Sequence, residues 1–301
     1  GAANDRERAV YDAHRARTLI APRSSLSASA WYDQLFHPDE EVLTGQIFGI
    51  IAPAVLIGRV TTLRRDKKLH QPDPSTRQAL EKTTLTAVRA IGWAAAILGL
   101  APPPVFVEKA RAVAFEHIPG VPPITVVGGQ VLSGRGQLEL AFLAGRHLCW
   151  YRQEHFVRTL FSSVGDLEDL FLAALVIGSP SLPIAEATKA RVAPIARAIE
   201  PMLEPSHLDA LRGHFLRFVE EGGRTNLQRW SSGADKTACR AGFLIANDLA
   251  TAVAAIEADE GRSAELLPKG MGERAQDLLV FSTGERYAQL RRQLGIAVPP
   301  A

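Results

Sequence analysis

One change of period limits what this chain can fold into. Most of it carries apolar residues at helical spacing, but three short runs between residues 105 and 127 break that rhythm. Val105-Phe106-Val107, Ala112-Val113-Ala114-Phe115 and Ile124-Thr125-Val126-Val127 are rich in β-branched and aromatic side chains, which pack well on a pleated surface. Pro102-Pro103-Pro104 precedes the first run, and Pro119-Gly120 with Pro122 and Pro123 precedes the last. Neighbouring strands with helices on either side predict a small sheet feeding a helix. The expected class is α+β, mostly helical, and not an alternating strand–helix series.

The helix after the sheet spans residues 137–160, QLELAFLAGRHLCWYRQEHFVRTL. Leu138, Ala141, Phe142, Gly145, Leu148 and Cys149 recur at helical spacing and predict one buried stripe. Arg146 and Trp150, four residues apart, stand one turn along on an adjoining face. Upstream, residues 4–20 form a polar, arginine-rich helix, and Ser29 is placed to cap a helix through Trp31 and Leu35. Pro38-Asp39-Glu40-Glu41 opens an apolar helix to about Arg64, with a kink at Pro53. The clearest break is Gln71-Pro72-Asp73-Pro74-Ser75-Thr76. It divides an amino-terminal helical extension, residues 1–74, from a domain of residues 75–301. A long helix is predicted from Ser75 to Leu98. Beyond Phe161 helices are expected to Val176, over 182–203, over 205–219 and over 235–256, then a packed last segment capped by Gly295.

Composition narrows function mainly by exclusion. With 47% apolar and 22% charged residues, the chain has the make-up of an ordinary globular protein. A net charge of +2, with basic residues spread along 301 positions, argues against a nucleic-acid partner. Arg64, Arg65, Lys67 and Lys68 form a basic cluster that a solvated helix end accounts for. Cys149 and Cys239 are the only cysteines, so a reducing compartment is expected. Charged residues occupy the place of a signal-peptide core, and the expected location is the cytoplasm, with room for a removed export signal or further domain ahead of Gly1. The apolar runs 42–58 and 90–100 fall short of the twenty or so residues that cross a bilayer, and buried helices are expected there.

Three segments in order, residues 90–107, 124–155 and 234–254, resemble the gluzincin metallopeptidases of the HtpX and CAAX-prenyl endopeptidase type. The resemblance covers roughly residues 80–260 and implies a zincin-like domain. Its core motif is H-E-x-x-H, in which two imidazoles one turn apart hold zinc and the glutamate acts as general base. This chain reads Arg146-His147-Leu148-Cys149-Trp150 at that place. Arg146 and Trp150 stand at the ligand positions and His147 at the base. Farther on, Asp235-Lys236-Thr237-Ala238-Cys239-Arg240-Ala241-Gly242 matches the third-ligand helix, with Asp235 at the ligand position and Cys239 at that of an orienting aspartate. A guanidinium cannot coordinate zinc and an indole offers only a donor.

The resemblance therefore implies a degenerate active site at Arg146, His147, Trp150, Asp235 and Cys239, with no catalytic residue, metal or cofactor. The expected geometry is an Arg146–Asp235 ion pair with Trp150 filling the space beside it. The expected function is a pseudopeptidase, a scaffold or protein-interaction module with a protein partner, similar to the carboxy-terminal part of bacterial tetratricopeptide-repeat proteins. The competing expectation is a hydrolase with an altered metal site or metal-independent chemistry around His147. A third is attachment to a membrane surface through the helix of residues 42–60. Each residue also has a plainer role. His147 reads as a surface or hydrogen-bonded histidine, Cys149 and Cys239 as small core residues, and His155 as part of a polar face. A remnant metal site of His147, Cys149, Asp235 and Cys239 fits no standard spacing, and no serine–histidine–aspartate arrangement stands out.

Overall fold

The computed structural model describes residues 4–14, 18–261 and 272–296. Helix α1 (Asp5–His14) is a polar lead-in. Helix α2 (Ala28–Ala30) runs directly into a π-helical turn, Trp31–Leu35. Its cap is Ser27 rather than Ser29: the Ser27 hydroxyl accepts from the Ala30 N–H at 3.2 Å. Helix α3 (Val42–Arg65) comes after it, containing Pro53.

The helix expected from Ser75 begins only at Thr86, as α4 (Thr86–Leu98). Residues 74–76 form a 3-10 turn, and Arg77–Gln78 become a short edge strand, β1. Leu80, which fits a helical stripe in sequence, instead folds back against Gly92 of α4. Three further strands, β2 (Val105–Glu108), β3 (Phe115–Ile118) and β4 (Ile124–Gly128), complete a mixed sheet in the order β1-β2-β4-β3. β2 and β4 are parallel, with Val105 opposite Thr125, and β3 is the antiparallel edge, with His117 opposite Thr125. The strand expected over 112–115 is displaced to 115–118, where Glu116 and His117 hide the β pattern.

After the sheet come α5 (Gln137–Cys149), α6 (Val157–Leu160), α7 (Val164–Gly178), α8 (Glu186–Ile199), α9 (Pro205–Glu220) and α10 (Leu227–Ala246). Helix α11 (Leu249–Gly261) precedes α12 (Glu273–Ser282) and α13 (Glu285–Leu294), the last ended by Gly295. The single helix expected over 235–256 is two. α10 starts earlier, capped by the Asn226 side chain, and stops at Asn247 in the left-handed region at φ 52°. Asp248 then starts α11 by accepting from the Thr251 N–H at 3.3 Å. An Asn-Asp pair turns the chain because asparagine tolerates that backbone and aspartate caps the new helix.

Two apolar cores result. One gathers α4, α5, the late turns of α10, β2, β4, α11, α12 and α13, together with Leu26, Trp31, Leu35 and Phe36 from the amino-terminal side of the break. The other is walled by α3 and filled by α6, α7, α8, Leu211 of α9, and Leu227 and Trp230 at the start of α10. α3 has 24 residues, longer than its apolar run, and passes the length and composition test for a membrane span, but 56% of its apolar window is buried inside the protein. A buried core helix accounts for its composition.

Helices α5 and α10 touch backbone to backbone. A Cβ at Gly145 would lie 2.9 Å from Gly242 Cα, and one at Gly242 would lie 2.5 Å from the Phe142 carbonyl oxygen. Only glycine at both places permits that approach. Of the stripe expected on α5, five residues are fully buried and Leu138 is half-buried. The helix is thus pinned by its small residues, and its carboxyl half holds Arg146, His147 and Cys149 in fixed positions.

Candidate functional site

Arg146 leaves α5 on the side facing α11, where its Nη2 donates to Asp259 Oδ2 at 2.8 Å. The expected partner, Asp235, is instead engaged by Arg274 of α12 at 3.3 Å. Burial opposes the charge on Arg146, but nearby Cys239, Asp259 and Asp235 raise its pKa above the ordinary arginine value. Asp235 therefore acts through space, while the direct pair lies across α5 and α11. The break at Asn247 folds α11 back onto α5, a turn the sequence pattern conceals. Trp150 ends α5 half-buried, its ring edge-on to His155 with centroids 6.0 Å apart.

His147 is buried, so the surface reading fails and the hydrogen-bonded one holds. Its Nε2 lies 2.9 Å from Thr125 Oγ1, which in turn lies 2.7 Å from the Tyr151 hydroxyl. His117 of β3 stacks on it with ring centroids 3.8 Å apart, and His117 Nε2 donates to the His147 carbonyl oxygen at 3.0 Å. Burial lowers the His147 pKa well below the usual imidazole value, and His117 lowers it further. Burial also takes His117 down to about 4, against the opposing pull of that hydrogen bond. Both rings are neutral near pH 7.

His155, expected on a polar face, is fully buried, and its Nε2 lies 2.5 Å from Glu40 Oε2. Burial works against its charge, and the Glu40 carboxylate more than offsets that, holding the imidazole protonated well above its usual range. Thr237 donates to the other Glu40 oxygen and accepts from the His37 N–H at 2.7 Å. A loop from the amino-terminal extension thus reaches into the seam between α5 and α10. It passes so close to Gly233 that a Cβ there would lie 2.9 Å from the Glu40 nitrogen. Beside it, Arg152 donates to Glu154 at 2.7 Å and lies 4.5 Å above the Trp31 ring. Tyr32 also donates to Glu154, and burial together with that carboxylate pushes its hydroxyl up to about 12.

Cys149 Sγ stands 3.6 Å from His155 Nδ1, so cysteine, histidine and glutamate line up in the order of a nucleophilic triad. Two facts keep it inert. The thiol is fully buried and burial raises its pKa, and the imidazole is already charged, which leaves it no basicity to offer. Cys239 is buried as well, its thiol pushed up to about 11 by burial. Both cysteines are core residues, as expected.

The residues of a remnant metal site do not converge. His147 engages Thr125, Cys149 neighbours His155, Asp235 pairs with Arg274, and Cys239 lies near the Arg146 charge. Among the described residues no three histidine, cysteine, aspartate or glutamate side chains form a group able to hold a metal ion. The donors present do not suit zinc, since the permanent cation Arg146 stands close to Cys239 and Asp235. A cleft of about 340 Å³ lies beside Asp259, the partner of Arg146. It is lined by the chain from Ala112 into β3, by Leu143 of α5, and by Ala255, Ala258 and Asp259 of α11. Gln130 and Arg135 also line it, so the cleft mixes apolar and charged side chains.

Sequence reasoning missed Glu40, His117, Asp259 and Thr237. Glu40 sits among Asp39 and Glu41 in an acidic helix start, where nothing distinguishes the buried member. No protein-family model, curated protein or solved structure matches the chain.

Proposed function

We propose that this chain is a catalytically inactive relative of the zincin-like metallopeptidases, serving as a scaffold that holds a protein segment in the cleft beside α5. The observation that carries the reading is the Arg146–Asp259 pair: a permanent cation with its own counter-ion stands where the family carries a metal-binding imidazole. The order of a mixed sheet, the motif helix α5 and the later helix α10 supports the same relationship. Without a metal there is no Lewis acid to polarise a scissile carbonyl. The role suits the cytoplasm and a place at the carboxy-terminal end of a longer bacterial repeat protein.

Metal analysis of purified protein, paired with a general peptidase assay, tests the reading. The expected result is no stoichiometric zinc and no cleavage. Tightly held zinc, or cleavage abolished by changing Arg146, His147 or Asp235, would overturn it. A photo-crosslinking residue at Ala258 should then trap a protein partner that the same residue at exposed Val121 does not.

A second reading, a hydrolase centred on His147, draws on the Thr125–His147 contact of 2.9 Å. It is the weaker one. Thr125 is fully buried, and no carboxylate is placed behind His147 among its described partners. Thr125→Ala in the same assay separates the two readings, because only a hydrolase would lose activity. Attachment to a membrane through α3 has less support still, since that helix is spent on the interior core.

A further inference from the structure

We infer that the stacked pair of His117 and His147 is an acid-released clasp that fixes the edge strand β3, and with it Phe115 in the wall of the cleft, to helix α5. The strand has little else to hold it on that side. It pairs with β4 along one edge only, and its contact with α5 runs through two rings, His117 and Phe115, both against His147. That ring lies flat on His147 at 24° and hydrogen-bonds the His147 carbonyl through Nε2, which leaves Nδ1 as the nitrogen that takes a proton. Phe115, the first residue of β3, lines the cleft, whereas residues 112–114 ahead of it are tied to residues 128–130 by their own hydrogen bonds.

The groups facing the pair explain its response to acid. From α5 comes the His147 imidazole itself, and from the turn after it the Tyr151 phenol, whose ring centroid is 5.0 Å from that of His117 and whose pKa burial raises. From β4 comes the Thr125 hydroxyl, and from β3 the Phe115 ring, 5.4 Å from that of His147. Glu116, the nearest carboxylate in the sequence, is held by Arg111. None of these groups is an anion directed at either ring. A proton on His117 would place a cation on a second imidazole with no counter-charge, and the open strand, where water solvates the ring, binds that proton better.

Linkage sets the direction. The open ring titrates near 6.5 and the clasped one near 4, so the clasp is intact above pH 6.5 and loosens as the pH falls between those values. From pH 7 to pH 5 the opening equilibrium should shift about 25-fold for His117 alone. What the released wall would control rests on the scaffold reading, but the clasp does not.

Hydrogen exchange of the full chain measures it without any partner. Protection factors, which already correct for the intrinsic pH dependence of exchange, are compared at pH 7 and pH 5. Over residues 115–118 they should fall at least about 25-fold, while those of α4 and of the late turns of α10 hold. His117→Phe keeps a stacking ring without the titrating nitrogen and should reduce the fall to what His147 contributes. His147→Phe, which retains the stack from the other side, should reduce it and serves if the first variant does not fold. Equal protection at the two pH values in the wild type, or an undiminished fall in both variants, would overturn the clasp. Neither result bears on zinc content or peptidase activity, so the clasp and the scaffold reading fail separately.

Discussion

The carboxyl half of α5 borders two buried histidine sites that carry opposite charge states. On the sheet side, His147 and His117 are neutral rings stacked among a hydroxyl, a phenol and a phenylalanine. On the other side, eight residues along the chain from His147, His155 is an imidazolium against Glu40. Burial penalises the charge at both places. The difference is a single carboxylate, delivered by the loop between the π-helical turn and α3. Depth alone does not set protonation; the partner that arrives from elsewhere in the chain does.

The largest test of that contrast removes the partner. Glu40→Ala leaves a buried imidazole with no counter-ion and strands Thr237 as well. It should cost about 3–5 kcal/mol of stability in urea unfolding at pH 7. It should also convert His155 to the neutral behaviour of the other pair, so that its ring titrates below 6.5 when monitored by NMR. A ring still charged at pH 7 in that variant would break the comparison.

Next in size is the pH profile of the wild type. His117 has a folded pKa below its unfolded one, so its contribution to stability is complete above 6.5 and is lost as the pH falls toward 4. The loss should reach up to about 3 kcal/mol, at about 1.4 kcal/mol per pH unit. His155 runs the other way. Its folded pKa is raised, so its contribution is complete below 6.5 and declines as the pH rises through the folded value. Urea unfolding from pH 4.5 to 9 should therefore show stability declining at both ends. His117→Phe should make the acid limb alone shallower, leaving the part that His147 contributes, and a variant that changed both limbs would show that the two sites are not independent.

The smallest effect concerns the third charged group of the region. Arg146 is largely buried, but its partner Asp259 is half exposed, which screens the pair. Arg146→Leu should change stability by about 1 kcal/mol or less. A loss several times larger would mean that Arg146 is held as tightly as His155.

The sequence exposed the parts of this molecule that depend on near neighbours. Val105-Phe106-Val107 and Ile124-Thr125-Val126-Val127 are strands because β-branched side chains stand together. The α5 stripe is buried because its apolar residues repeat at helical spacing. The α3 helix and the burial of both cysteines were open to the same reasoning. What escaped it depends on distance along the chain. Glu40 and His155 meet across 115 positions, and no local pattern links them. Asp259 reaches Arg146 only because Asn247 and Asp248 reverse the chain, two polar residues in an otherwise apolar run that masked a helix break. His117 sits in a strand whose two polar residues conceal its alternation.

Helix α10 belongs to both interiors: Leu227 and Trp230 lie in one, and its span from Ala238 to Ala246 lies in the other. A rod shared in this way acts like a common axle. Neither half can come apart while the other stays closed around it, because each would have to release the same twenty residues. Heating should therefore produce one calorimetric peak whose width reports the whole molecule, despite the two separate apolar interiors.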